Sequence, residues 1–259
     1  MGILNTALDS AFSKGPIISD SNSLIIGNSL ILVPHPDDES LACGGTIALL
    51  RKNGFLVYLI FITDGTMSHP NSKKYPAERL RDLREEEARK ALNILNVNAE
   101  AIQFLRLPDS NMNKLNPVNF EYTSRLLQEY IIKIRPTTIF LPWRKDPHPD
   151  HIATWNLAVN AIKGINKGVF QSRVLEYPVW FWERTDASQL AQENEVNLWK
   201  VQINDVLIKK KHAILQHASQ LGQIINDDPT GFTLSNKMLE HFYHKEELFF
   251  EYYDMIRKI

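Results

Sequence analysis

The sequence predicts an α/β fold, with one mostly parallel sheet between two layers of helices. Two observations predict it. Short runs rich in β-branched residues alternate with helical patterns along most of the chain, as repeated strand–helix units require. The two segments densest in titratable groups, Pro34–Glu39 and Asp146–His151, each follow a predicted strand and precede a predicted helix. Ligands of open parallel sheets sit beyond the carboxyl ends of the strands. Together these describe a Rossmann-like three-layer α/β/α sandwich.

The elements follow in order. Ser29–Val33 (SLILV) reads as a buried first strand, Glu39–Lys52 as a helix ended by Gly54, and Leu56–Thr63 (LVYLIFIT) as a second strand. Pro76–Leu95 is a long amphipathic helix crowded with Arg and Glu. A strand over Ala101–Leu105, a loop through Pro108 and Asp109, and a helix over Pro117–Ile134 come next. Thr137–Leu141 is a strand, and after WRKDPHPD a helix runs from His151 to about Lys163. Arg173–Val179 and Lys200–Ile203 read as later strands, and Asp205–Leu221 as a helix. No repeat, low-complexity segment or linker divides the chain, so it reads as a single domain. Residues 1–28 are expected to be an N-terminal extension packed on a domain spanning 29–259, whose aromatic-rich tail from Asn236 packs back on it.

Composition narrows the function classes. Thirty acidic and 29 basic side chains leave a net charge of −1 over 259 residues, which gives neither nucleic acid nor an anionic membrane the basic surplus it calls for. The one basic run, Lys209–Lys211, reads as a solvated helix face. The single cysteine, Cys43, excludes an intramolecular disulfide and reads as a small buried residue. Residues 1–23 carry Asp9, Lys14 and Asp20 without the apolar core of a signal peptide. No stretch approaches the roughly 20 apolar residues of a membrane span. The expectation is a cytoplasmic protein.

The chemistry is concentrated in two motifs. Pro34-His35-Pro36-Asp37-Asp38-Glu39 places an imidazole and adjacent carboxylates at a strand end, where burial is costly without a partner or a cation. Capping of the following helix by Asp37 and Asp38 is the alternative reading. In Asp146-Pro147-His148-Pro149-Asp150-His151, two histidines three apart with an aspartate between them have metal-site spacing. Together they offer the N/O donors that suit zinc, and also iron or manganese.

These residues resemble a known family. LILVPHPDDESLACGGTIALL is similar to the opening signature of the LmbE-like, PIG-L-type N-acetylglucosaminyl deacetylases. Thr63-Asp64-Gly65, the Arg84/Glu87/Ala88 pattern, Leu107-Pro108-Asp109, His148–His151 and His217-Ala218-Ser219-Gln220 match further family motifs in order. The chain departs from the family at Pro34, where Ala is usual, and at Leu95-Asn96-Val97, where LGV is usual. The resemblance implies one zinc ion per chain on His35, Asp38 and His151, with Asp37 as general base. It implies His148 as the group that steadies the tetrahedral oxyanion or protonates the leaving amine, Asp150 as its orienting partner, and Arg84 and Asp109 on the substrate side. The loop Met67–Tyr75 matches no motif.

Other residues read as structure. Tyr177, Trp180, Phe181 and Trp182 read as core, with a sugar-stacking platform or an oligomer contact as alternatives. His212 and His217 are out of helical register for a shared site, although the family pattern directs His217 toward the pocket. His241 and His244 read as surface residues. Gly44-Gly45 lacks the GxGxxG spacing of a dinucleotide site. The expected function is removal of an N-acetyl group from a small amino-sugar substrate. A same-fold amidase on another N-acyl compound, a two-metal phosphoesterase, and a non-catalytic zinc- or sugar-binding module are the competitors. Aromatics in the last third allow a homo-oligomer.

Overall fold

The structure is a computed structural model that describes residues 17–19, 25–165, 171–183 and 195–258. Strands β1 (Ile17–Ile18), β2 (Ser29–Val33), β3 (Val57–Thr63), β4 (Ile102–Leu107), β5 (Thr138–Pro142), β6 (Arg173–Tyr177), β7 (Val196–Gln202) and β8 (Glu246–Tyr252) form one sheet. Their order is β1-β7-β8-β6-β5-β2-β3-β4. All pairings are parallel except those of β8, which runs antiparallel to β6 and β7. Helices α1 (Asp38–Lys52), α2 (Ala77–Ile94), α3 (Pro117–Ile134), α4 (Pro149–Lys163) and α5 (Leu207–Ile214) cover it. α1, α2 and α5 pack together on one face, α3 and α4 on the other. A strand covered on both faces needs a continuous apolar run. In β2, Ile31 and Val33 enter the core under α1, and Leu30 and Leu32 the core under α3 and α4.

The site is positioned by the order of the strands. From β2 the chain moves outward to β3 and β4, then returns to place β5 on the other side of β2. The crevice at that switch point is where such sheets bind ligands, and the two motifs leave the carboxyl ends of these two neighbouring strands.

The C-terminal third differs most from expectation. The tail forms a short helix α6 (Asn236–Glu240), inserts β8 between β6 and β7, and ends in α7 (Tyr253–Lys258). α5 stops at Ile214 rather than Leu221, β6 ends at Tyr177, and β7 begins at Val196, ahead of Lys200. Lys210 is not solvated: it is buried and its Nζ lies 2.7 Å from Glu247 of β8. The same carboxylate accepts the Gly45 and Thr46 amides of α1, each at 2.7 Å. A buried ion pair is tolerable when its remaining hydrogen-bonding capacity is used in this way. Gly45 permits the approach, since a Cβ there would lie 2.6 Å from Ile203. Cys43 is buried in this helix. Of the N-terminal extension, most residues lie outside those described, and Ile17–Ile18 pair with β7. Among the described residues no helix is long and apolar enough to cross a membrane.

Candidate metal centre and active-site cavity

Asp37 sits between β2 and α1 with φ of 146°, a region that side-chain-bearing residues rarely occupy and that persists only when its surroundings impose it. Arg84 of α2 imposes it from one side, donating from Nη2 to Pro36 O and from Nη1 to Gly65 O, both at 2.8 Å. Glu39 imposes it from the other, its Oε2 accepting the Asp37 amide at 3.0 Å. Gly65 has a φ of 65°, and a Cβ there would meet Arg84 Nη1 at 2.8 Å, so the turn after β3 needs a glycine to admit the arginine.

Carboxylates and imidazoles then alternate across the crevice. Asp38 Oδ2 lies 3.4 Å from His35 Nδ1 and 3.3 Å from His151 Nε2. His35 Nε2 is 3.3 Å from both Asp109 Oδ1 and Asp150 Oδ2. His151 Nδ1 is 3.5 Å from Asp146 Oδ1. His148 completes the cluster, its ring centroid 4.7 Å from that of His35 and 5.1 Å from that of His151. His35 with His148 and His151, and His35 with Asp109 and Asp150, each bring their donor atoms within 4.8 Å of one another. His151 is fully buried, yet neither ring nitrogen makes a directional hydrogen bond. Such nitrogens among carboxylates fit a metal ion better than a packed core.

The electrostatics agree. Burial opposes charge on His35, but Asp109, Asp150 and Asp38 hold it well above its ordinary value. Burial likewise opposes charge on His151, and Asp146 and Asp38 push it up to about 9. Despite burial, His151 and His35 hold Asp38 well below the usual carboxylate range. The cluster therefore favours positive charge at its centre. Asp37 differs: burial pushes it up to about 6, against the pull of Arg84 3.4 Å away. Burial, aided by His35 and His151, pushes His148 down to about 4.

The sequence matches the PIG-L family, described as GlcNAc-PI de-N-acetylase, over residues 30–162. The chain belongs to that family. It is 28% identical over 203 residues to a Bacillus anthracis protein named "Probable N-acetyl-alpha-D-glucosaminyl L-malate deacetylase 2", covering 76% of this chain and 83% of that one. The solved N,N'-diacetylchitobiose deacetylase of Pyrococcus horikoshii shares the fold with a TM-score of 0.62 at 22% identity, over 96% of this chain and 88% of that one. A 4-carboxy-2-hydroxymuconate hydratase of Pseudomonas putida does so equally, at 0.62 and 20% identity, over 83% and 82%. Since a hydratase shares the fold, the reaction has to be argued from the site.

In this PIG-L family member the eight residues singled out from the sequence converge on one crevice, though not all as expected. Asp150 does not orient His148 with its carboxylate. That group faces His35 and accepts the amides of Ser110 at 2.6 Å and Met112 at 3.3 Å. The Asp150 amide instead donates to His148 Nδ1 at 3.2 Å, with His148 capping α4. Arg84 lines the cavity, but its guanidinium is committed to the Asp37 turn. Asp109 faces His35 and accepts the Met67 amide at 2.8 Å. Three contributors escaped sequence reading. Asp146 lies against His151 and accepts the His148 and Trp180 amides at 3.0 and 3.1 Å; its place in the second motif was the available signal. Glu39 takes His217 Nε2 at 3.0 Å beneath the first motif, so His217 braces the motif from below. His241, expected at the surface, lines the cavity.

The cavity has a volume of about 210 Å³. Its floor is the His/Asp cluster with Asp37. Its wall comes from Trp180 and from residues 232–242. The predicted aromatic cluster thus divides: Tyr177 and Phe181 are core, Trp180 lines the cavity, and the Trp182 side chain lies outside those described.

Proposed function

We propose that this chain is a zinc-dependent hydrolase that removes the acetyl group from the nitrogen of a small amino-sugar derivative. The observation that carries the reading is a raised carboxyl, Asp37, beside a cation-favouring His/Asp cluster in one cavity. The relatives' deacetylase names supply the substrate class.

His35, Asp38 and His151 are the residues that would hold the metal. Asp38 Oδ2 stands at 3.4 and 3.3 Å from the two imidazoles. The outer nitrogen of each histidine faces a carboxylate, Asp109 and Asp150 for His35 and Asp146 for His151, the usual means of fixing a ligating imidazole. Two nitrogens and one oxygen suit zinc, while iron and manganese remain compatible donors' choices. Bound there, zinc supplies Lewis acidity that polarises the amide carbonyl and acidifies water.

Asp37 takes the proton of the attacking water, and its raised value suits a group that must accept and then release a proton. Burial disfavours the charged form of His148, and its Nδ1 receives a backbone N–H, so the neutral form carries its proton on Nε2. That tautomer donates a hydrogen bond to the developing oxyanion. The leaving nitrogen needs a proton, and the newly protonated Asp37 supplies it; a neutral His148 would become an imidazolate by giving up its Nε2 proton. The products are acetate and a free amino sugar. The test is amine release by zinc-loaded protein from a panel of N-acetylated sugars, sugar nucleotides and glycosides. Release that vanishes in Asp37→Asn supports the reading; silence across the panel refutes the substrate class.

A further inference from the structure

The Pro36–Asp37 peptide is held at both ends. Its carbonyl oxygen accepts from Arg84 Nη2 at 2.8 Å, and its N–H donates to Glu39 Oε2 at 3.0 Å. Asp37 is the N-cap residue of α1, where an aspartate usually turns its own side chain onto the first free amides of the helix. It makes no such hydrogen bond. Glu39, in the first turn, reaches back to the Asp37 amide instead, and Asp37 is left on the cavity lining. A φ of 146° goes with this arrangement. Without its acceptor the buried Asp37 amide would be unsatisfied, and the peptide would turn to relieve both that cost and the backbone strain.

What holds Glu39 is His217. Glu39 Oε1 accepts Ser40 Oγ at 2.7 Å and faces His217 Nε2 at 3.0 Å. His217 is buried beneath the cavity and is not among its lining residues. Burial opposes charge on it, but Glu39, Asp37 and Glu87 hold it above its ordinary value. The turn that carries it is fastened in its own right. Glu87 accepts the Ser219 amide at 2.7 Å and the Ser219 hydroxyl at 2.6 Å. Arg84 and Glu87 stand three apart on α2, a spacing that puts both side chains on one face of the helix. One helix therefore secures both ends of the same peptide: the carbonyl directly, and the N–H through Ser219, His217 and Glu39. A buried ion pair contributes little net stability. Its place one hydrogen bond from the Asp37 backbone is what argues for a function.

We propose that His217 is a positioning residue for the reaction: by fixing Glu39 it keeps the Pro36–Asp37 peptide turned so that the Asp37 carboxyl group faces the cavity instead of capping α1. The proposal rests on the reading of Asp37 as general base and adds to it a residue that acts only through another.

The test compares His217→Leu with His217→Gln, whose side-chain amide replaces the Nε2–H donor, in full-length zinc-loaded protein. The first readout is hydrogen exchange of the Asp37 amide, followed by NMR on protein carrying ¹⁵N-aspartate. Exchange is expected to quicken on the order of tenfold or more in His217→Leu and to stay near the wild-type rate in His217→Gln. The second readout is steady-state turnover on the best panel substrate. His217→Leu is expected to lower kcat about tenfold to a hundredfold, with KM and one equivalent of zinc unchanged, and His217→Gln to recover most of the loss. In an Asp37→Asn background His217→Leu should cost nothing further, because residues that act as one unit are not additive. Should His217→Leu fail to fold, Ser40→Ala removes the other donor to Glu39 Oε1 and is expected to shift both readouts the same way, by about threefold. Asp37 exchange as slow in the altered protein as in the wild type, a loss confined to KM or zinc content, or full additivity with Asp37→Asn would overturn the proposal. A wild type that releases no amine sinks the hydrolase reading, and the exchange readout still decides whether His217 holds Asp37. Wild-type turnover with unchanged exchange in His217→Leu does the reverse.

Discussion

The floor and the wall of the cavity are made in opposite ways. The floor gathers most of its buried carboxylates and imidazoles from two contiguous motifs, each leaving one of two adjacent strands, adds Asp109 from the loop after β4, and holds Asp37 in a strained backbone by Arg84 and Glu39. Charged groups need fixed positions and satisfied neighbours, and a strand end followed by a helix start provides both. The wall gathers apolar side chains from the turn at Trp180 and from residues 232–242, tied down through backbone amides and the carboxylates of Asp227 and Asp228. Chemistry is compressed in sequence, and shape is assembled from distant segments. If the division is right, floor substitutions abolish turnover whatever the substrate, whereas wall substitutions change which substrate is held.

The largest expected effect is at His151. His151→Ala should remove the bound metal and reduce amine release to background, read by metal analysis of the purified protein; a variant that keeps one equivalent of zinc would remove His151 from the ligands. Next comes Asp37→Asn, expected to retain metal while kcat falls about 10²- to 10⁴-fold, the usual contribution of a general base. Asp146→Asn should weaken metal binding by roughly 10- to 100-fold through loss of the carboxylate behind His151, measured by competition with a chelator. Smallest is Asp228→Ala, which frees the clamp on the 67–75 loop. It should raise KM about threefold to tenfold with kcat and metal content unchanged; an equal fall in kcat would mean that the wall is not separable from the floor.

The same division explains what could be read from the sequence. His35, Asp37, Asp38, His148 and His151 were legible because their residue types are poor choices for a core and stand together after strands. The parallel half of the sheet was legible because β2, β3 and β5 are unbroken apolar runs. β8 was not: EELFFEY carries Glu247, whose burial makes sense only beside Lys210 and the amides of α1. The early end of α5 was hidden for a similar reason. A turn at residues 215–217 is stabilised by what His217 reaches, Glu39, far away in sequence. Phe232, Leu234 and Met238 read as ordinary core residues, because nothing in an apolar side chain says whether it faces protein or substrate.

Amide hydrolysis by water activated at Asp37 leaves an isotopic signature. The decisive measurement runs the zinc-loaded protein in ¹⁸O-water on the best N-acetylated glycoside of the panel, whose blocked anomeric carbon does not exchange oxygen with solvent. Free amine and acetate are expected in equal amounts, with a single heavy oxygen in the acetate, none in the sugar, and near-complete loss of both products in Asp37→Asn. Unlabelled acetate, label in the sugar, or wild-type rates from Asp37→Asn would contradict this mechanism.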